Sequence, residues 1–385
     1  MNDPVNVGTY GANESAMQTY IAEGHAKAMA LPNRGPVRYD ENGAVASDII
    51  DAYWRYGFYI LEGVLGDDEL IDLQEAIEVD IIQRLPVSRD ASSDAQGRPA
   101  LANGLKAPVL FWSKPLGDPF GGTDEAGGRH PVKMVEPQAS ADAPDDIVYL
   151  MLGPLQFSAG MLRTYGHPDL LSVAAAINGN DFVPFNEAVF IKEPGLGASV
   201  AWHQDGLTHW NSAQWDEGSH GFNFMGQLYG CTAANAVWVI PGSHKLGKID
   251  IAARVAAAGT ERLPDGVPIV CNPGDVAMSN RQIVHGSFAN TSSDRRITLN
   301  MGFHRRSSVE GVTGGGLHAA PATYDDAHIA KRSRVIGYAI DARAQRFPDE
   351  VPFRYEPFAD QNIRHAWDDT ARASMPDYNL LDMSI

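Results

Sequence analysis

The stretch Ser199-Val200-Ala201-Trp202-His203-Gln204-Asp205 determines how the rest of the chain is interpreted. Side chains alternate between the two faces of a β-strand, so a strand here projects His203 and Asp205 to one side and Gln204 to the other. A second histidine, His285, follows about eighty residues later in Ile283-Val284-His285-Gly286-Ser287. If a later strand ends at His285, the sequence predicts two neutral imidazoles and one carboxylate on one face of a metal ion.

A second His-x-Asp triplet, His167-Pro168-Asp169, serves as an internal comparison. Pro168 has the position of a first helical residue, and an apolar run with helical spacing follows it, so these side chains are expected to shape a helix start rather than bind metal. By contrast, His203-Gln204-Asp205 ends a strand-like run and precedes Gly206, which leaves the backbone room at the mouth of a barrel.

Two neighbouring arginines, Arg295 and Arg296, begin the last strand-like run, which continues to Phe303. Arg296 shares a strand face with Thr298 and Asn300, which suits the wall of a wet cavity, whereas Arg295 lies on the apolar face. A guanidinium inside a barrel needs a carboxylate partner. Arg296 is therefore the preferred anchor for an acidic ligand, with Arg295 as the alternative.

The chain divides into three regions. Residues 1–44 form an N-terminal arm with one helix near Ala16 to Met29, residues 45–310 form the main domain, and residues 311–385 form an extension packed on the same domain. The main domain begins with a helix, a strand and a helix, and short strand-like runs bounded by turn residues follow from Phe182 to Phe303, which favours an antiparallel sandwich or barrel. Residues 86–145, rich in Gly, Pro, Asp and Ser, are expected to be an irregular insertion that forms part of a pocket wall.

Composition excludes several classes of function. The 385 residues are 44% hydrophobic and carry a net charge of −18, which disfavours nucleic acid and anionic membranes as partners and leaves a small molecule as the expected partner. Two distant cysteines, Cys231 and Cys271, argue against a disulfide framework or a thiolate zinc site. No basic start, apolar leader or run of about eighteen apolar residues is visible, so we expect a cytoplasmic protein. The sequence leaves the oligomeric state open.

Two histidines and one carboxylate around a metal with open positions are typical of non-haem Fe(II) oxygenases. From about residue 45 to 306 the chain resembles the phytanoyl-CoA dioxygenase family of Fe(II)/2-oxoglutarate oxygenases. The pieces that carry the resemblance are Tyr56 to Leu65, Trp202 to Gly206, Val239 to Lys245, Pro273-Gly274-Asp275-Val276, His285-Gly286-Ser287 and an arginine eleven residues after His285. The resemblance implies a mainly β fold with flanking helices, built on a double-stranded β-helix (jelly-roll, cupin-like) core.

The resemblance also implies the roles of individual residues. His203, Asp205 and His285 would bind Fe(II), and Arg296 and Ser287 would hold the distal carboxylate of 2-oxoglutarate. Asn186 stands where related members place an amide, often Gln, against the same cosubstrate. With O₂, such a site hydroxylates an unactivated C–H of a metabolite and releases succinate and CO₂. Related halogenases replace the carboxylate with a small residue, so Asp205 favours hydroxylation or desaturation.

The substrate is less well determined. No cluster of Lys and Arg suggests a CoA-phosphate site, and a small or zwitterionic metabolite is favoured. Trp210, His209 and Trp202 are candidate substrate contacts, although aromatic side chains beside a strand end usually serve packing. His244 follows a Pro-Gly turn and is interpreted as a loop-stabilising residue. A metal-binding isomerase of the cupin type and a non-catalytic sugar-binding jelly roll are the alternatives, and both leave Arg296 and Ser287 without a role.

Overall fold

Two β-sheets face each other in the computed structural model, which describes residues 8–317, 320–359 and 365–384. The larger sheet contains, in spatial order, β1 (Arg34–Gly35), β2 (Phe58–Leu61), β10 (Val276–Asn280), β7 (Phe222–Gln227), β12 (Arg296–His304), β5 (Val183–Lys192), β4 (Ile147–Leu152) and β3 (Leu110–Ser113). The smaller sheet contains β6 (Val200–His203), β11 (His285–Ser287), β8 (Trp238–Val239) and β9 (Val267–Pro268). A separate hairpin joins β13 (Thr313–Gly314) and β14 (Ala322–Thr323). The double-stranded β-helix predicted from the sequence is confirmed.

Helices flank this core on the sides of both sheets. They are α1 (Glu14–Ala30), α2 (Ser47–Tyr56), α3 (Asp67–Asp80), α4 (Ala159–Tyr165), α5 (Pro168–Asn178), α6 (Ile251–Ala258), α7 (Arg306–Val309), α8 (Asp326–Arg346), α9 (Glu356–Ala359) and α10 (Asp369–Ala373). Short 3₁₀ turns span Gly11–Asn13, Ile82–Arg84, Glu125–Gly128, Pro154–Gln156 and Ser243–Lys245. Among the described residues, no helix combines the length and apolar character needed to cross a bilayer.

The helix, strand and helix predicted at the start of the main domain are confirmed as α2, β2 and α3. Helix α2 ends at Tyr56 and is followed by Gly57, whose φ of 81° is a left-handed conformation that glycine adopts without strain. The first turn of α3 contains Asp67, Asp68 and Glu69, and these carboxylates complement the positive end of the helix dipole. The local sequence therefore sets both helix boundaries.

The alternation of side chains along β12 separates the core from the cavity. Its apolar residues pack in the largest hydrophobic cluster, which lies between the larger sheet and helices α2 to α5 and α8; they are Ile297, Leu299, Met301 and Phe303. The residues of the opposite face, Arg296, Thr298 and Asn300, line a cavity between the two sheets. This strand thus carries the scaffold on one side and the site on the other.

The N-terminal helix predicted near Ala16 to Met29 is confirmed as α1, which packs on the smaller sheet. The ring of Tyr20 stacks on Trp238 with centroids 4.3 Å apart, and its hydroxyl donates to the carbonyl oxygen of Leu263. The insertion at residues 86–145 is largely irregular, but the aromatic pair Phe111-Trp112 lies in β3, at the edge of the larger sheet. Four residues are too few for a periodic pattern, which explains why the sequence did not reveal this strand.

The C-terminal region contains the long helix α8. The Asp325 side chain caps it by accepting from the backbone N–H of His328, and Arg332 lies buried on its inner face. Arg332 donates to Asp382 at 2.6 Å and lies 3.3 Å from Glu187 of β5. The segment around Asp382 is thereby fixed against the larger sheet and reaches the cavity.

Candidate metal centre and its cavity

Three side chains predicted as metal ligands converge in the cavity between the sheets. One ligand atom each from His203, Asp205 and His285 lies within 4.8 Å of the other two. The His203 Nε2 is 3.6 Å from Asp205 Oδ1, and the His285 Nε2 is 4.0 Å from Asp205 Oδ2. These atoms surround a common point, as a facial arrangement of metal ligands requires.

Strand pairing produces this convergence. His285 lies directly opposite His203 in the antiparallel register of β11 and β6. Two details differ from the sequence prediction: β6 ends at His203, so Asp205 lies beyond the strand, and β11 begins at His285 rather than ending there. Asp205 is nevertheless held in position, because its backbone N–H donates to the carbonyl oxygen of Arg281 at 2.8 Å and not to a strand partner.

Both histidines are fixed in the tautomer that a metal needs. The Nδ1 of His203 lies 2.8 Å from the carbonyl oxygen of Ala201, and the Nδ1 of His285 lies 2.9 Å from that of Ile283. A carbonyl only accepts, so each Nδ1 carries the proton and each Nε2 presents its lone pair. Burial, followed by the neighbouring His285, holds the pKa of His203 well below its ordinary value, and burial also lowers the pKa of His285. Both rings are neutral at physiological pH.

Asp205 is ionised because of its neighbours. Burial alone would raise the pKa of this carboxyl, but Arg281 and Arg129 outweigh burial and hold the pKa well below its usual range. Arg281 Nε is 3.4 Å from one carboxylate oxygen, and an Arg129 nitrogen is 3.4 Å from the other. Two neutral imidazoles and one carboxylate form a donor set that suits Fe(II).

The two candidate arginines of β12 occupy opposite environments. Arg296 is buried and lines the cavity, where its Nη1 donates to the carbonyl oxygen of Asn235 at 2.6 Å and its Nε has no partner. Burial lowers the pKa of Arg296 to about 10, so the guanidinium remains charged at neutral pH. Arg295 lies on the other face and forms ion pairs with Glu78 and Glu193. The geometry favours Arg296 as the anchor for an anionic ligand.

Ser287 and Asn186 also line the cavity. The Asn186 Oδ1 and the Asn223 Oδ1 are buried without a hydrogen-bond partner. Both lie within 3 Å of the position that a Cβ on Gly302 would occupy, at 2.8 and 2.9 Å, so a larger residue at 302 would fill the space between them. These two oxygens are available to a ligand.

The remaining sequence candidates lie elsewhere. Trp210 packs against His220, with ring centroids 4.3 Å apart, and neither Trp210 nor His209 is among the described residues that line the cavity. Trp202 is buried in a separate hydrophobic cluster, and its indole N–H donates to the carbonyl oxygen of Glu261. The structure therefore does not bring these three side chains together with the metal ligands.

Two histidines that the sequence analysis set aside have the expected structural positions. The buried His244 makes a contact of 3.1 Å between its Nε2 and the carbonyl oxygen of Trp54, in agreement with a loop-stabilising role. The Nδ1 of His167 accepts from the backbone N–H of Asp169 at the start of α5, so the second His-x-Asp triplet is a helix cap, as predicted. Both residues lie outside the ligand group.

Among the cavity residues that the sequence did not single out, Arg129, His130 and Arg281 lie beside the metal ligands. The His130 ring lies 4.1 Å from that of His203 and stacks on Phe120, so it forms part of the wall beside the metal ligands. Arg129 and His130 belong to the insertion at residues 86–145. No periodic pattern surrounds these two residues, so the sequence offered no specific signal for them.

The family model for phytanoyl-CoA dioxygenases (PhyH) matches residues 53–298. Comparison with curated proteins finds no match. Among solved structures, EvdMO1 is 21% identical with a TM-score of 0.44; the match covers 66% of this chain and 48% of that chain, so this chain spans about half the length of EvdMO1. EctD from S. alaskensis with 2-oxoglutarate and 5-hydroxyectoine is 16% identical over 71% of this chain and 80% of that chain, with a TM-score of 0.47.

A third similar structure is SnoK, a non-haem α-ketoglutarate-dependent carbocyclase from nogalamycin biosynthesis. It is 16% identical over 77% of this chain and 93% of that chain, with a TM-score of 0.46. The family match includes both stretches that supply the metal ligands and extends through Arg296 to Thr298. The resemblance inferred from the sequence motifs is thus confirmed, and the chain belongs to the phytanoyl-CoA dioxygenase family.

Proposed function

We propose that this protein is an Fe(II)/2-oxoglutarate-dependent dioxygenase that hydroxylates an unactivated C–H of a small-molecule metabolite and releases succinate and CO₂. One observation carries the proposal: the His203, Asp205 and His285 group shares its cavity with Arg296, a buried cation that has no carboxylate within 4.0 Å among the described residues. A metal site alone does not need this cation, whereas a site for a metal and a dicarboxylate does.

The metal-binding residues act as oriented donors. When bound, Fe(II) together with 2-oxoglutarate and O₂ supplies the oxidising chemistry, and the protein supplies binding and orientation. His203 and His285 would hold the metal through Nε2, since Nδ1 of each ring is engaged by a backbone carbonyl. Asp205 would bind as a carboxylate, with Arg281 holding its second oxygen.

Arg296 and Ser287 would bind the distal carboxylate of 2-oxoglutarate. The guanidinium is buried, so its attraction for a carboxylate is not weakened by bulk water. The amide of Asn186 is proposed as a further contact to the cosubstrate, because this side chain lines the cavity and its N–H₂ group can donate to an oxygen of 2-oxoglutarate. Apolar residues complete the wall and exclude water; they include Leu150, Phe190 and Met225.

The alternative class is a metal-binding isomerase or a jelly roll that binds a ligand without chemistry. Such a protein would account for the metal ligands, but it would leave the buried charge of Arg296 without a counter-ion. Burying an unpaired charge costs several kcal/mol, so its retention is best explained by a bound anion.

Metal dependence of 2-oxoglutarate turnover tests the proposal. Purified protein is stripped of metal, reloaded with Fe(II) or Zn(II), and supplied with 2-oxoglutarate in air, and succinate is measured. We expect succinate with Fe(II) and none with Zn(II); equal behaviour of the two metals would contradict an oxygenase. A metabolite screen then supplies the substrate. A product heavier by one oxygen atom supports hydroxylation. An isomeric or dehydrogenated product would contradict hydroxylation and assign a different reaction within the same oxygenase class.

We further propose a cytoplasmic location and a small-molecule partner. The net charge of −18 repels nucleic acids, and the buried cysteines Cys231 and Cys271 are free thiols although they lie opposite each other across a β-bridge. Cell fractionation tests the location, and recovery of the protein in an oxidising compartment would contradict it.

A further inference from the structure

Arg281 and Arg129 flank Asp205 in the cavity, and their charges are not balanced there. The side chain of Arg281 is only 3% exposed, and its Nε is 3.4 Å from Asp205 Oδ2. Its Nη1 lies 2.8 Å from His304 Nε2, and its guanidinium lies 4.2 Å from the centroid of the Phe185 ring. The histidine and the aromatic ring are neutral, so Asp205 is the only anionic partner of Arg281 among the described residues.

Arg129 reaches the same carboxylate from the insertion. One of its terminal nitrogens is 3.4 Å from Asp205 Oδ1 and 3.2 Å from the Ser384 hydroxyl, which accepts a hydrogen bond from it. Its Nε is buried and has no hydrogen-bond partner. The guanidinium therefore has donor capacity left at the edge of the cavity, between the insertion and the C-terminal segment.

Other buried arginines of this chain are balanced differently. Arg332 contacts two carboxylates, those of Glu187 and Asp382, and Arg343 contacts Glu69 and Glu350. Arg129 and Arg281 share one carboxylate, and within the described residues neither has another within 4.0 Å.

The cavity therefore has an excess of positive charge. Among the described residues, Asp382 is the other carboxylate that lines it, but Arg332 holds that group at 2.6 Å. When Asp205 binds a divalent cation, its negative charge is shared with the metal, and the two guanidiniums lose much of their only counter-charge. The argument that assigns a carboxylate to Arg296 thus applies a second time, at a different place.

We propose that the substrate is an organic acid whose carboxylate is bound by Arg129 and Arg281 and whose apolar body lies against Phe120 and Met225. This proposal rests on the proposed function and names its substrate class. Arginine presents a planar fork that matches a carboxylate, and both side chains line the cavity. Since both guanidiniums contact a metal ligand, the C–H that is oxidised lies only a few bonds from the carboxylate.

Orientation of Asp205 alone does not require two arginines. One oxygen of a metal-bound carboxylate remains for a hydrogen bond, and Arg281, which is the more deeply buried, is placed to make it. Arg129, whose side chain is 16% exposed, is then the residue that meets an incoming acid first. Its substitution therefore separates substrate binding from metal binding.

The experiment uses the anaerobic complex of the protein with Fe(II) and saturating 2-oxoglutarate. Octanoate, 3-phenylpropionate and the matching amides are titrated into it, and the visible charge-transfer band and ligand-observed NMR signals are followed. We expect the acids to shift the band and to bind roughly tenfold more tightly than the amides, the difference of one charge-assisted hydrogen bond. Stimulation of succinate formation in air provides the second readout.

Arg129→Gln should retain the band with 2-oxoglutarate but lose the preference for acids over amides. Arg89→Gln is the matched control, because Arg89 belongs to the same insertion and pairs with Asp146 at the surface. The proposal is overturned if wild-type protein binds amides as well as acids, if no acid has any effect, if the acids abolish the band by displacing 2-oxoglutarate, or if Arg129→Gln keeps the full preference. Failure of the oxygenase assignment is distinct, since the band would then be absent before any acid is added.

Discussion

His285 lies directly across from His203 in the antiparallel register of β11 and β6, and the two imidazole centroids are 4.0 Å apart. Residues more than eighty positions apart thereby present their Nε2 atoms to the same carboxylate, that of Asp205. The register of the smaller sheet thus builds the metal centre, and a slip of one residue would turn one imidazole away from the other.

Substitution Asp205→Ala should remove one of three protein ligands and lower Fe(II) affinity and 2-oxoglutarate turnover by about a hundredfold or more. Iron binding is measured by anaerobic equilibrium dialysis, and turnover by succinate formation. Asp169→Ala is the matched control, since Asp169 belongs to the second His-x-Asp triplet and accepts from the Tyr39 hydroxyl instead of facing a metal. Full activity of Asp205→Ala would contradict the ligand assignment.

Substitution Arg296→Gln should weaken 2-oxoglutarate binding by about a hundredfold, because a buried charge-assisted contact to the cosubstrate is lost. Arg295→Gln should change this affinity by no more than about twofold and cost about 1 kcal/mol or less of stability, since its ion pairs lie on the far face of β12. The Michaelis constant for 2-oxoglutarate distinguishes the two variants. The reverse order of effects would make Arg295 the anchor.

The stability of the metal-free protein should depend on the proton taken up by His167. Burial lowers the pKa of His167 from 6.5 to about 3, so this residue binds a proton on unfolding throughout that interval. Above pH 6.5 His167 is neutral in both the folded and the unfolded state and does not affect the pH dependence. As the pH falls from 6.5 toward 3, only the unfolded state binds the proton, so the free energy of unfolding decreases by about 1.4 kcal/mol per pH unit. His167→Asn keeps a helix cap but does not titrate. Urea unfolding between pH 6 and 4 measures how the free energy of unfolding depends on pH. The slope should be smaller by one proton in His167→Asn than in the wild type, and an unchanged slope would refute the prediction.

Arg332→Leu should reduce the free energy of unfolding by about 3–5 kcal/mol, because Glu187 and Asp382 would remain buried without their cation. Arg346→Gln on the same helix removes an exposed ion pair with Asp72 and should cost about 1 kcal/mol or less. Chemical denaturation monitored by fluorescence compares the two. Similar costs for both variants would show that the buried network contributes no more than a surface pair.

Much of this site could be predicted from the sequence because its signals are local. The alternation of side chains along short strands placed His203 with Asp205 and Arg296 with Thr298. The helix start at Pro168 correctly excluded His167 as a metal ligand. The ends of β6 and β11 each differ from the prediction by two residues, which changes the strand boundaries but not the convergence of the ligands.

Arg129 and Arg281 could not be predicted in the same way. Arg281 lies in the turn between β10 and β11, and Arg129 lies in an irregular segment, so neither has a periodic pattern around it. Their positions depend on tertiary contacts, namely the backbone hydrogen bond from Asp205 to Arg281 and the hydrogen bond from Arg129 to Ser384. The charge environment of the cavity therefore emerges only from the folded chain.

The most direct test of the central claim is an anaerobic titration of the metal-free protein with Fe(II) in the presence of 2-oxoglutarate, followed by visible absorbance. We predict a weak charge-transfer band that saturates at one Fe(II) per chain, disappears in Asp205→Ala and requires far more 2-oxoglutarate in Arg296→Gln. Tight binding of Fe(II) with no band at any concentration of 2-oxoglutarate would contradict the assignment.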